Sequence, residues 1–179
     1  TESRGEDMYH TVLVEKKEKV GILTLNRPRV MNAINLELIK EVSQALEALE
    51  ADDEIRVVVM TGAGRAFSTG HDMAASDSEI AKLIEFNEGK LNTFAKPLIG
   101  AIHGLVLGYG LQLALTCDII IAADNTRQRL TGPTLGAVDP GSILLLSAMV
   151  GINRASEALF TCEQLGAEEA YRMGVVNRV

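Results

Sequence analysis

The segment KPLIGAIHGLVLGYGLQLALTCDIIIAAD, residues 96–124, sets strand, glycine turn, helix and strand side by side with almost no charge. Residues 98–103 read as a buried strand. Gly104, Gly108 and Gly110 then let the backbone bend sharply before Leu111, Gln112, Leu113, Ala114 and Leu115 begin a short helix. N–H groups at such a bend have no acceptor within the helix. An anion, or a carbonyl oxygen that becomes anionic during reaction, accepts hydrogen bonds from them. The structural alternative is a tight turn in a buried βα unit, because glycine clusters are weak motifs by themselves.

Upstream of this segment, residues 11–15 and 20–26 alternate as strands around a charged KKEK turn, which predicts an opening hairpin ended by Arg27-Pro28. Residues 35–52 carry Leu38, Val42, Ala45, Leu46 and Leu49 at amphipathic-helix spacing, with Asn35 as the N-cap. The β-branched run 55–60 fits a strand covered on both faces. TGAGRAFSTGHDM, residues 61–73, follows at the end of that strand, where ligand-holding loops sit in α/β folds. It lacks the third glycine of a dinucleotide fingerprint and the Gly-Lys-Ser/Thr of a phosphate loop. A different use stays open: Gly70 permits a turn that exposes the N–H of His71, and Asp72 caps a helix starting there. The His71 side chain by itself reads as a rim or supporting residue rather than a ligand or base. Residues 76–95 have a helical pattern that Lys96-Pro97 stops.

Downstream, residues 125–139 read as loop, broken by Gly132-Pro133 and Gly136. Helices are predicted over 143–150, 154–160 and 167–173, and a final strand over 175–179.

The whole chain of 179 residues is sized for one domain, with residues 1–10 as a loose polar arm. At 47% hydrophobic and 23% charged residues the composition is globular, and no apolar run reaches the ~18 residues of a membrane span. The start, TESRGEDMYH, lacks the basic and apolar regions of a signal peptide, so a cytoplasmic protein is expected. Cys117 and Cys162 are too few for a disulfide framework and read as buried thiols. A net charge of −7 argues against nucleic-acid binding, though a few local arginines suffice for a polyanionic small ligand. His10, His71 and His103 are scattered, without metal-ligand spacing.

With both glycine loops laid out, the chain resembles the crotonase superfamily, the enoyl-CoA hydratase/isomerase family, over nearly its full length. The matching segments, in order, are LTLNRPRVMNAIN (23–35), VVVMTGAGRAFSTGHDM (57–73), KPLIGAIHG (96–104), LGYGLQLALTCDIIIAAD (107–124), LGAVDPG (135–141), VGINRASEALFT (150–161) and GAEEAYRMGVVNRV (166–179). Each is weak alone; so many in the right order are strong. The resemblance implies an α/β, crotonase-like fold of repeated ββα units wound as a spiral. It also implies an acyl-CoA thioester ligand in lyase or isomerase chemistry of fatty acid metabolism, with coenzyme A entering only as part of the substrate and no separate cofactor. A homotrimer, or a hexamer built as a dimer of trimers, is expected by the same resemblance. Members of this family continue into C-terminal helices that close the acyl pocket and support trimers; the sequence stops at Val179, so that segment is expected to be either missing or truncated.

The resemblance also assigns the site. Backbone N–H groups at positions matching His71 and Tyr109 hold the thioester carbonyl and stabilise its enolate. Tyr109 replaces the family's usual glycine, and its ring either narrows the acyl pocket or distorts the turn. The two glutamates of hydratases match Gln112 and Gly132, neither of which takes a proton at neutral pH. One carboxylate remains nearby: Asp139 lies one residue out of register from the functional aspartate of dienoyl-CoA isomerases and dehalogenases, and reads either as catalytic or as a turn former before Pro140. Arg27, Arg29, Val30 and Ala33 match the nucleotide end of the CoA site. Arg65, Ser68, Thr69, Gly70, Asp72, Met73 and Gly108 match the pantetheine and thioester end. The arginines pair with phosphates in this reading, or else are solvated surface charges.

Overall fold

A computed structural model describes residues 9–76, 78, 91, 93–137 and 140–179, and within them the apolar runs become strands of two sheets. The hairpin forms as its alternation requires: β1 (Val12–Lys17) pairs antiparallel with β2 (Val20–Leu25), Val12 opposite Leu25 and Lys17 opposite Val20. Helix α1 (Leu36–Ala51) begins where the Asn35 side chain accepts from the Leu38 N–H at 2.9 Å. Its buried stripe of Leu38, Ile39, Val42, Ala45, Leu46 and Leu49 joins the core.

From β2 onward the chain winds in repeated units. Strands β3 (Val57–Gly62), β5 (Leu98–Ile102) and β7 (Ile119–Ala122) add in parallel to β2, giving a five-stranded sheet in the order β1-β2-β3-β5-β7. Each is followed by a three-residue strand, β4 (Ala66–Ser68), β6 (Leu105–Leu107) and β8 (Arg127–Arg129), which pairs with its successor in a second sheet. Helix α2 (Tyr109–Leu115) closes the β5–β6 unit, and α3 (Pro140–Val150) follows β8 after a 3-10 turn at Gly132–Leu135. Helix α4 (Ile152–Thr161), the short β9 (Leu165–Gly166) and α5 (Ala167–Met173) complete the described chain. Val58 lies opposite Leu98 and Met60 opposite Gly100, so the strands carrying the two glycine loops are neighbours.

Several expectations need correction. The 125–139 segment is not all loop, because β8 and the 3-10 turn lie in it. Residues 175–179 make no full strand: Arg178 bridges Ile121, while the Asn177 side chain takes the Ile120 N–H at 2.7 Å. Strand β3 is covered on one face only, its other face being half-buried. Helix α2 starts two residues early, at Tyr109. The helix expected over 76–95 falls largely outside the described residues. Both cysteines are buried free thiols, and burial, with Asp118 beside it, pushes the Cys117 thiol up to about 12. No helix among the described residues is long and apolar enough to cross a membrane.

The start of β1 is fastened to α1 through Glu41, which is buried and accepts from the His10 N–H (2.9 Å), the Thr11 N–H (2.7 Å) and the Thr11 hydroxyl (2.6 Å). Burial pushes this carboxyl up, but the three donors outweigh it and hold its pKa below the ordinary carboxylate value. Glu41→Ala is expected to cost about 3 kcal/mol, because two buried Thr11 donors lose their acceptor. Since the folded-state pKa is lowered, wild-type stabilisation is complete above the unfolded carboxylate range and disappears as pH falls through the folded value. Urea unfolding at neutral and acid pH should therefore show the gap between wild type and Glu41→Ala shrinking in acid; a constant gap would contradict this.

Candidate active site

Two turns meet where β4 and β6 end. Ile34 forms a parallel bridge with His71: its N–H donates to Gly70 O at 2.7 Å, and the Asp72 N–H donates to Ile34 O at 2.9 Å. Successive N–H groups of extended backbone point to opposite sides, so the His71 N–H is aimed away from Ile34. On that other side lies the second turn. A methyl group on Gly70, whose φ is +88°, would sit 2.7 Å from Leu107 O and 3.2 Å from the Tyr109 nitrogen. Tyr109 is the first residue of α2, and the N–H of a first helical residue has no acceptor within its own helix. Gly108 sets this geometry with φ +50°, its N–H donating to Arg129 O at 2.9 Å. The side chains meet as well: the His71 and Tyr109 rings stack at 4.6 Å between centroids, 16° from parallel.

The 63–72 loop is held from beneath by Asn32, which the sequence reading passed over, and by Ser68 and Arg27, which it matched to the CoA site. Asn32 is fully buried, with its Nδ2 donating to Ala63 O (2.9 Å) and Ala66 O (2.8 Å) and its Oδ1 accepting from the Arg27 N–H (2.8 Å). The hydroxyl of Ser68, also fully buried, donates to Asn32 O at 2.8 Å. A lone asparagine between apolar neighbours, Met31 and Ala33, was the available signal, but no local spacing marks it. Arg27, matched to the CoA nucleotide end, turns its guanidinium inward: Nη1 donates to Ala33 O and to Asp72 Oδ2, the latter at 2.9 Å. The Ala74 N–H holds the Asp72 carboxyl below its ordinary pKa against the effect of burial, and Arg27 adds to the lowering. The Asp72 carboxylate also accepts from the Ala74 N–H at 3.1 Å, but this closes a turn over residues 73–75, where the sequence predicted a helix for Asp72 to cap.

The remaining candidate residues are spread around this centre. Gln112 is buried on α2 beneath α3, where a methyl on Gly141 would come within 2.3 Å of its Nε2. Gly132 opens the 3-10 turn and, with Gly108, Thr131 and Ser142, lines a cavity of about 20 Å³. Arg29, Val30, Arg65 and Met73 are exposed, Thr69 is half-buried, and Ala33 is buried. Asp139 lies outside the described residues. A larger cavity of about 370 Å³ lies beside the start of β5 and the end of α2, among Leu98, Leu115, Cys117, Leu145 and Met149, and touches none of the candidate residues. Among the described residues, no group of three His, Cys, Asp or Glu side chains is placed to hold a metal ion.

Comparison with known proteins matches the chain to a family. The family model described as enoyl-CoA hydratase/isomerase matches residues 15–179. The short-chain-enoyl-CoA hydratase of Clostridium acetobutylicum is 35% identical over 182 residues, covering 95% of this chain and 69% of that protein. The crotonyl-CoA hydratase of Syntrophomonas wolfei is 34% identical, with 96% and 69% covered. The crystal structure of an enoyl-CoA hydratase from Bacillus anthracis superposes with a TM-score of 0.88 at 31% identity, over 95% of this chain and 70% of that one. The α/β spiral of two sheets is thus the crotonase-like fold, and the chain belongs to the enoyl-CoA hydratase/isomerase family.

Proposed function

We propose that the protein binds an acyl-CoA thioester with its carbonyl oxygen between the His71 and Tyr109 N–H groups and stabilises the enolate formed there. The meeting of the two turns at Gly70 carries this reading. Such donors, fixed before reaction, stabilise the charge as it develops; losing one typically costs about 2.7–4 kcal/mol of barrier. Arg29, Val30 and Ala33 lie toward the nucleotide end of the CoA, and Arg65 and the 68–72 loop toward the pantetheine. Arg27 supports this loop through Asp72. A homotrimer or hexamer is the proposed assembly, supported by the exposed apolar side chains of Leu144, Ile152 and Phe160 on α3 and α4; sedimentation tests it.

The reaction is one other than plain hydration. Gln112 and Gly132 stand where hydratases of the family place their carboxylates, and neither exchanges protons at neutral pH. Asp139 or the His71 imidazole is left as the acid/base. A malonyl-type thioester reaches the same enolate by releasing carbon dioxide: the electron pair of the broken C–C bond passes into the enolate, and the α-carbon then takes a proton from water. That route needs donors but no carboxylate base. A second reading, a non-catalytic acyl-CoA-binding or scaffold protein, is favoured by the same two replacements.

Steady-state assays with 2-enoyl, 3-enoyl and malonyl-type thioesters, repeated with Asp139→Asn, separate these readings. Crotonyl-CoA hydration should be very slow, and Gln112→Glu alone should restore little, because position 132 still lacks a carboxylate. Efficient hydration by the unmodified chain would refute the assignment of positions 112 and 132. Tight thioester binding with no turnover of any class would favour the scaffold.

A further inference from the structure

We propose that the stacked side chains of His71 and Tyr109 limit the size of the acyl group, so that the site takes thioesters of acetyl or propionyl size; this rests on the acyl-CoA reading above. The two residues whose N–H groups flank the carbonyl site also place their rings face to face beside it, at 4.6 Å and 16°. The Tyr109 ring is not a surface flap: the residue is 6% exposed and its hydroxyl oxygen is buried. Moving it aside means giving up both its packing and the stacking contact.

Among the described residues, the packing around positions 112 and 132 is close. The cavity between Gly108, Thr131, Gly132 and Ser142 is about 20 Å³, room for one water and not for an alkyl tail. Gln112 is pressed against the first turn of α3 at Gly141. In this proposal the acyl group runs out beside the stack, so that each methylene beyond propionyl size has to displace the tyrosine ring.

Titration calorimetry of the full chain tests this, using free CoA, acetyl-CoA, propionyl-CoA and hexanoyl-CoA, with free CoA as the reference for each form. Wild type should bind hexanoyl-CoA at least about tenfold more weakly than propionyl-CoA, a difference of ~1.4 kcal/mol. Tyr109→Gly, which keeps the backbone N–H and removes the ring, should erase or reverse that preference, and Tyr109→Phe should keep it. If Tyr109→Gly fails to fold by circular dichroism, His71→Ala removes the other half of the stack and should relax the preference in the same direction. A wild type that binds hexanoyl-CoA as tightly as acetyl-CoA, or a ringless variant that keeps the full preference, overturns the size limit while leaving the acyl-CoA reading intact. No binding of any thioester by either form overturns both.

Discussion

Gly70→Ala is expected to lower thioester turnover by about 10²–10³-fold while the chain still folds. The glycine has φ +88°, a backbone region that alanine adopts only with strain of roughly 1–3 kcal/mol. The added methyl would also stand 2.7 Å from Leu107 O and 3.2 Å from the Tyr109 nitrogen, both backbone atoms that no rotamer change removes. The least disruptive relief is to separate the two turns, which takes the two N–H groups off a single oxygen. Because donors act on charge only when correctly placed, a small displacement costs far more in rate than in stability. If the protein is non-catalytic, the same change should remove the affinity advantage of an acyl-CoA over free CoA. Kinetics or calorimetry beside urea unfolding measures both effects. Unchanged turnover and thioester affinity in a stable Gly70→Ala protein would mean that the two turns do not share a carbonyl.

Asn32→Asp is expected to be the most destabilising single change near the site, by roughly 3–5 kcal/mol at neutral pH, the cost of an uncompensated buried charge. The wild-type amide donates to the carbonyls of Ala63 and Ala66. A carboxylate there presents oxygen to oxygen, in a position with no solvent exposure. The sign of the pH dependence follows. Burial and facing carbonyls raise the folded-state pKa of the new carboxyl, so the penalty grows as pH rises from the unfolded value to the folded one and is relieved in acid. Asn32→Ala should cost less and show no such titration. Asn32→Gly separates backbone from side chain, since Asn32 has φ +54° and glycine tolerates that conformation without supplying the amide. Urea midpoints across pH for the three variants provide the check, and a wild-type midpoint for Asn32→Asp at neutral pH would show that the Asn32 contacts do not hold the loop.

Parts of the chain that carry their own periodicity were legible in the sequence. The stripe from Leu38 to Leu49 and the cap at Asn35 specify α1 without reference to anything distant, and the alternation around KKEK specifies the hairpin. The succession of motifs was enough for the family. The second sheet was not legible: β4, β6 and β8 are three residues each, too short to alternate, and exist because successive turns of the spiral supply one another's hydrogen-bond partners. The same non-local pairing limits the strand expected over 175–179, which meets β7 at Asn177 and Arg178 in one isolated bridge rather than along its length. At the site, the sequence by itself determined which residues stand at positions 71, 109, 112 and 132, and that the last two are not carboxylates. Tertiary structure alone decided that the His71 and Tyr109 turns abut, that their rings stack, and that Arg27 and Asn32 face inward to the loop. Those contacts join residues far apart in the chain and depend on the register of parallel strands, which no local pattern of residues encodes.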